Sequence, residues 1–577
     1  MDFYDWAWTN TFQITRKKQE EIKILLRDNI SFPILGKDDK GYVICLAKPK
    51  ILRKSLVGLH GMVFDSKNAE HRKILWHSFK ASVYHLSLHA GISDFETYAD
   101  WAKDKNINLA TYVVSTLEDA VTNAHLRARW PPLIPDIAYA NAISYLRSKP
   151  SSSVPNNTLR VMTSTLSSYT TGMAKGTLPK EMQEDVNYLV TCLREIEDLT
   201  YKESSSGKTT EISSNSINHR KVKLVDNMYK RLSRYGEPSE VPSLPYTEDH
   251  GMNSVFYENL IPTENEIQET LEHALVRLGS KLEQDAFRER LFENEVSQVF
   301  STWESRRRAQ KRILKTYETL GGNMHFSSFE FPQEDYTDYL RRKTYLAGPI
   351  RRILNRLRLL KNLYGDDYRH ETGILDLQEA IQVVASKSPR TDVFTLEELQ
   401  SMMEAWAILV DASRSLNYFH GEVRGIVLCL AEVANELLLD KTAWGVFAFS
   451  NKFYIVKDFS EVYTNRIRAR IGGLEHSGLT YLPDGIMLAA EALKKRLEES
   501  KTLVVVSDFF PSGYENIEEE LKERVKKIER SGVGVIGIGV KSEAVQKYFR
   551  TNCVVENPYE LMKKFAKAFI EYSTTIA

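Results

Sequence analysis

Apolar positions along the first part of the chain recur at intervals of three and four, as in Leu75, Phe79, Val83 and Leu86. That spacing puts them on one face of a helix. The pattern runs from about residue 69 to 147, with Pro131, Pro132, Pro135 and Pro150 dividing it into separate helices. Residues 201–220, YKESSSGKTTEISSNSINHR, are polar, rich in Ser and Thr and nearly devoid of large apolar side chains. Such a stretch buries too little surface to offset its ordering entropy, which predicts a flexible linker. A Pro-rich loop, PSEVPSLPYTEDHG, follows, and a highly charged helical pattern returns from about residue 264 to 363.

Beyond about residue 404 the period changes. AWAILVD is a short apolar run ending in Asp411, and GEVRGIVLCLAEVANELLL after it reads as a helix. WGVFAF and FYIV are strand-like, residues 482–499 helical, TLVVVSD a buried strand, and ENIEEELKERVKKIE a helix. GVGVIGIGV is a further strand and PYELMKKFAKAFIEY a closing helix. Apolar runs of this length alternating with amphipathic helices predict an α/β domain with a doubly wound, mostly parallel sheet. Four segments are expected: a mainly helical N-terminal domain (1–200), a flexible polar linker (201–250), a charged helical middle region (251–394) and the α/β domain (395–577).

Composition narrows the class. With 577 residues, 42% apolar and 27% charged, the chain has enough core-forming material for more than one domain. Its 77 basic and 77 acidic residues cancel, so an electrostatic partner must be met by a local patch. Cys45, Cys192, Cys429 and Cys553 lie far apart with no CxxC pair, the pattern of free thiols rather than a disulfide framework or thiolate zinc site. MDFYDWAWTN lacks a basic segment followed by an apolar one, and no run reaches the roughly 18 apolar residues of a membrane helix. A soluble, cytoplasmic protein is expected.

In a doubly wound sheet, ligands bind at the loops leaving the carboxyl ends of the strands. DASRS supplies Asp411, Ser413 and Ser415 there, SGLTYLPDG supplies Thr480, and TLVVVSD ends in Asp508. Two carboxylates and three hydroxyls without His or Cys suit a hard divalent ion, Mg²⁺ (or Mn²⁺). DASRS alone would equally cap a helix. Thr480 and Asp508, in order and in strand–helix context, favour the metal site.

These residues resemble the metal-ion-dependent adhesion site of von Willebrand factor A domains. The resemblance implies that Ser413 and Ser415 are direct hydroxyl ligands and Thr480 the loop threonine, with Asp411 and Asp508 acting through water. It also implies an open coordination position filled by a partner's acidic side chain. One departure is Phe509, where many members of the family have Gly. The upstream YRHETGILDLQEAIQVVASKSPRTDVF and the later GLEHSGLTYLPDGIMLAAEAL are similar to the nitric-oxide-reductase activation protein family and its Rubisco-activation and cobalt-chelatase-like relatives. That similarity covers about the last 210 residues. It implies an adaptor working beside a MoxR-type AAA+ ATPase and a client metalloenzyme. The chain is not itself expected to be an enzyme. GxxxxGK[ST] and GxSxG are absent, and SSSGKTTE lacks the first glycine and preceding strand of a phosphate-binding loop.

Two weaker signals remain. His85 and His89 share one helical face, as do Glu118 and His125 on a later helix. The four together could form a second metal site, for a metal-handling enzyme or chelatase subunit. LRRKTYLAGPIRRILNRLRLLKNL carries many Lys and Arg and no Asp or Glu. Ile350, Ile353, Leu357, Leu360 and Tyr364 make its apolar stripe, with Arg351, Arg352, Arg356 and Arg358 largely off it. A solvated face on a packed helix is favoured over a dock for an acidic protein, RNA or lipid; RRRAQKR near Arg306 reads the same way.

Overall fold

Asp2 begins the first helix, α1 (Phe3–Thr15), by accepting hydrogen bonds from the amides of Tyr4 and Asp5. Two small three-stranded sheets follow. One pairs β1 (Ile22–Arg27), β2 (Ile34–Asp38) and β3 (Gly41–Ala47) in the order β1-β3-β2. The other joins β4 (Lys50–Arg53), β5 (Leu56–Leu59) and β6 (Met62–Asp65) in sequence order. Then come α2 (Ala69–Ile92), α3 (Ala99–Ala102), α4 (Ile107–Arg129), α5 (Ile134–Arg147), α6 (Asn157–Thr171), α7 (Lys180–Ser206), α8 (Glu211–Leu232) and α9 (Glu264–Arg277). Asn68, Asn106 and Asn156 cap α2, α4 and α6 through their side-chain oxygens. α4 packs on α2, α7 and α8, and α5 on α2, α6 and α9.

This computed structural model describes the chain except residues 207–210, 251–255, 282–285, 363–365, 371–373, 387, 398–403, 439 and 577. It divides into two compact units, Met1–Arg306 and Arg307–Ala577, the division falling within α10 (Ala286–Leu320). The expected middle region, 251–394, is therefore not a unit of its own.

The expected linker is also different. Residues 201–206 end α7 and α8 begins at Glu211, with 207–210 between them outside the described residues. α8 buries Leu224, Val225, Met228 and Leu232, a helical stripe that starts just past the Ser/Thr-rich stretch. Its packing carries the polar residues upstream into the same helix. The Pro-rich loop after α8 is anchored as well, by buried Val241, Leu244 and Tyr246.

The second unit adds β7 (Phe329–Glu330), α11 (Tyr336–Asn362), and a small sheet of β8 (Asp366–His370), β9 (Ile374–Leu375) and β10 (Phe394–Glu397), with α12 (Leu377–Ser386) between its last two strands. The main sheet then builds from β11 (Glu404–Asp411), α13 (His420–Leu437), β12 (Trp444–Phe449), β13 (Phe453–Lys457), α14 (Asn465–Gly472), α15 (Leu482–Lys494), β14 (Ser500–Ser507), α16 (Ile517–Arg530), β15 (Gly534–Val540), β16 (Thr551–Val555) and α17 (Pro558–Ile576). Its seven strands lie in the order β16-β15-β14-β11-β12-β13-β7, parallel except where β13 runs antiparallel to β12. Side chains of α11, α13 and α17 fill one face and those of α15 and α16 the other. The strands are buried on both sides, which is why β11 and β14 read as unbroken apolar runs. From β11 the chain moves first to β12 on one flank, then returns to β14 on the other. That reversal leaves a crevice at the carboxyl ends of β11 and β14.

Among the described residues, no helix is long and apolar enough to cross a membrane.

Candidate metal centre

Asp411 is the last residue of β11 and is fully buried at the crevice. One carboxylate oxygen accepts the Ser413 amide at 2.9 Å, and the other accepts the Ser507 hydroxyl at 2.6 Å. Ser507 Oγ in turn accepts the Phe509 amide at 2.9 Å, so the ends of β11 and β14 are stitched together through one hydroxyl. Ser413 is extended (φ −73°, ψ 164°) before a short 3₁₀ turn. Its hydroxyl lies 2.9 Å from that of Ser415. Ser413 is buried and Ser415 exposed, so the pair runs from the crevice to solvent.

Backbone bonds bring the other two candidates to the same rim. The Ser477 amide donates to Ala412 O at 2.8 Å and the Arg414 amide to Gly478 O at 3.1 Å, fastening the Thr480 loop to DASRS. Gly478 is required there: it has φ 82°, and a Cβ would lie 2.0 Å from Asn451 Oδ1. The Thr480 amide donates to Ser512 Oγ at 3.2 Å, and the Ser512 amide returns a bond to Thr480 O at 3.1 Å. The Thr480 loop is thereby joined to the loop that follows Asp508. Asp508 Oδ1 accepts the Phe510 amide at 3.1 Å.

Burial, and then the nearby negative charge of Asp508, push the Asp411 carboxyl up to about 7. Among the described residues neither carboxylate forms an ion pair. Two carboxylates crowded into a largely dry crevice, with hydroxyls beside them, form an oxygen donor set that fits a small divalent cation. Asp411, Ser413 and Ser415 meet directly, whereas Thr480 and Asp508 join through the backbone bonds above. Ser507 and Ser512 also bond within this rim, and the sequence pattern singles out neither. Ser507 reads as the end of an apolar strand, and nothing in the sequence marks Ser512.

Phe509 does not cover the rim. Its backbone adopts the left-handed region at φ 59°, which a glycine takes without steric cost. Its ring turns into the core, only 1% exposed, against Phe549 at 5.0 Å between centroids. Phe509→Gly would relieve about 1 kcal/mol of backbone strain and forfeit about 3–5 kcal/mol of aromatic packing. A net destabilisation of about 2–4 kcal/mol in urea unfolding is expected; a neutral or stabilising result would mean that the ring does not pack.

The second predicted cluster is only half assembled. His85 and His89 come together, but Glu118 turns to Tyr98 Oη at 2.5 Å and Lys221 Nζ at 2.9 Å. His125 Nδ1 faces Ser204 Oγ at 3.0 Å, and burial pulls its imidazole down to about 4. The acidic groups actually beside the histidines are Asp119 and Glu248. Asp119 adjoins Glu118, a one-residue error of helical phase, and Glu248 lies in the Pro-rich loop where no periodicity points to it.

On α11, Ile350, Ile353 and Leu357 are buried while Arg351, Arg352 and Arg356 are exposed, the arrangement of a solvated face. The side chains of Arg358, Leu360 and Tyr364 lie outside the described residues. Arg342 pairs with Asp338 at 2.7 Å and Lys343 with Glu432 at 2.8 Å. Arg306 pairs with Asp2 at 2.7 Å and Asp5 at 2.6 Å. GKT of SSSGKTTE falls in 207–210, outside the described residues, and the element before it is a helix.

Comparison with solved structures finds similarity to a point mutant of the PilB minor pilin of Streptococcus sanguinis, with 15% identity over 32% of this chain and 63% of the pilin chain, TM-score 0.24. An aerotolerance-related membrane protein of Bacteroides fragilis carrying multiple mutations to serine is 14% identical over 29% of this chain and 99% of its own, TM-score 0.23. The Deinococcus radiodurans RO (RSR) protein is 11% identical over 83% of this chain and 94% of its own, TM-score 0.20. A search of curated proteins returned no match. Residues 407–567 match the family model of the von Willebrand factor type A domain, and the C-terminal unit thus carries a domain of that type.

Proposed function

We propose that the C-terminal unit is a protein-binding module that works through a divalent cation, Mg²⁺ or Mn²⁺. In this reading the whole chain is a cytoplasmic adaptor between a MoxR-type AAA+ ATPase and a client metalloenzyme. The observation that carries the cation-dependent part is the uncompensated carboxylate pair Asp411 and Asp508 beside the Ser413–Ser415 hydroxyl pair at the sheet's switch point. Neutral hydroxyls from Ser413, Ser415 and Thr480 would hold the ion directly, with Asp411 and Asp508 supporting it. Such an ion keeps a strong demand for an anionic ligand, which an Asp or Glu of the partner meets as a charge-assisted contact. The choice of ATPase and client rests on the resemblance of YRHETGILDLQ and GLEHSGLTYLPDG to the activation-protein family, and ATP hydrolysis is assigned to the partner chain.

Ser415→Ala tests the reading with little risk to folding, because its side chain is exposed. In pull-downs of the full chain with its ATPase in Mg²⁺, the substitution is expected to weaken association roughly 10–100-fold, the effect of losing one hydrogen bond or ligand to a charged group at about 1.5–3 kcal/mol. EDTA should abolish it. Association indifferent to both treatments overturns the proposal.

A further inference from the structure

We propose that the N-terminal unit holds a second metal ion, Zn²⁺, between His85 and His89 of α2, Asp119 of α4 and Glu248 of the loop after α8. The histidine pair sits one helical turn apart, so both rings project from the same side of α2. His85 Nε2 and His89 Nε2 approach to 3.0 Å. Asp119 Oδ1 lies 3.0 Å from His89 Nε2 and 3.4 Å from His85 Nε2. Glu248 Oε2 lies 3.0 Å from His85 Nε2 and 3.8 Å from His89 Nε2. All four potential ligand atoms fall within 4.8 Å of one another. With zinc–ligand bonds of about 2.0–2.2 Å, a tetrahedral site has ligand–ligand edges of about 3.3–3.6 Å, and these separations bracket that length.

Protons alone satisfy the cluster poorly. Each Nε2 carries at most one proton, yet each faces the other ring and both carboxylates, and two N–H groups would point at one another. One divalent ion replaces both protons and answers every one of these contacts. Two carboxylates, two neutral imidazoles and Zn²⁺ also sum to zero charge, which suits a site where His85, His89 and Glu248 are all buried. His89 Nδ1 lies 2.8 Å from Ser93 Oγ, a contact that orients the ring from behind. A small pocket lined by Tyr112, Ser115, Asp119, Pro242, Glu248 and His250 adjoins the two carboxylates. With four protein ligands the site is closed, so its role is structural: the ion pins the Pro-rich loop onto α2 and α4. This inference is independent of the C-terminal cation.

The test uses the full chain, stripped of metal and titrated with Co²⁺ as a spectroscopic stand-in for Zn²⁺. The intense visible bands of four-coordinate cobalt are expected, displaced by stoichiometric zinc. They should be lost in His89→Asn and in Glu248→Gln and retained in Asp411→Ala. Weak six-coordinate cobalt bands in the wild-type chain, zinc that washes out on dialysis, or bands that survive in both folded variants would overturn the proposal and leave an ion-pair cluster only. If the variants fail to fold, the wild-type cobalt spectrum decides by itself.

Discussion

Saturating Mg²⁺ is expected to raise the melting temperature of the wild-type protein, and Asp508→Ala to erase that response while making the metal-free protein more stable. The sign follows from the crevice. Without a cation, the charge of Asp508 bears on the buried Asp411 carboxylate, so deleting Asp508 relieves a repulsion. With a cation, the same charge becomes attractive and its deletion costs affinity. At a hundredfold excess over the dissociation constant the ion contributes about 2.7 kcal/mol. For a unit of this size that is a shift of roughly 5–10 °C. Calorimetry of the full chain with and without Mg²⁺ measures both halves of the crossover. Equal upward shifts in wild type and Asp508→Ala would place the ion elsewhere.

Lys221→Met is expected to lower the stability of the N-terminal unit by about 3–5 kcal/mol, as breaking one side of a buried ion pair does. Glu118 is fully buried, Lys221 nearly so, and their contact is 2.9 Å. Tyr98 still donates to Glu118 Oε1 in the variant, but among the described residues the second oxygen has no hydrogen-bond partner even in the wild type. An anion without its counter-charge would therefore remain inside the helical layer. Adding Glu118→Gln should restore a good part of the loss, since it removes the stranded charge. Urea unfolding reads both variants. An unchanged midpoint for Lys221→Met would mean that α8 is not packed on α4.

That variant touches the place where the sequence misleads most. Residues 201–220 have the composition of a linker, and composition outweighs the periodicity that begins only at Leu224; helix packing supplied by residues further on is invisible within the polar window. The reverse holds at the C-terminal crevice. Asp411, Ser413 and Ser415 are two residues apart, and the strand ahead of them is an apolar run that sequence alone identifies. Thr480 and Asp508 follow from the rule that loops at the carboxyl ends of parallel strands face one rim. The second cluster lies between these cases. Helical spacing finds His85 and His89, but choosing Asp119 over Glu118 needs the rotation of α4 against α2, and Glu248 arrives on a loop with no regular pattern. The small sheets between residues 22 and 65 leave no clear mark in the sequence, because their strands are short and only partly buried.

β7 is two residues long, yet it changes how the C-terminal unit can be handled in isolation. Phe329 and Glu330 lie alongside Phe453 and Tyr454, the Phe453 amide donates to Ser328 O at 3.0 Å, and Lys452 meets Glu330 at 2.9 Å. A polypeptide begun at residue 395 would leave that flank of β13 bare, a ready template for recruiting strands from other molecules. It would also strip away Tyr339, Ile353 and Leu357, which plug the groove along α13. A soluble fragment for binding work must start near residue 307, well upstream of where the sheet's own apolar runs begin.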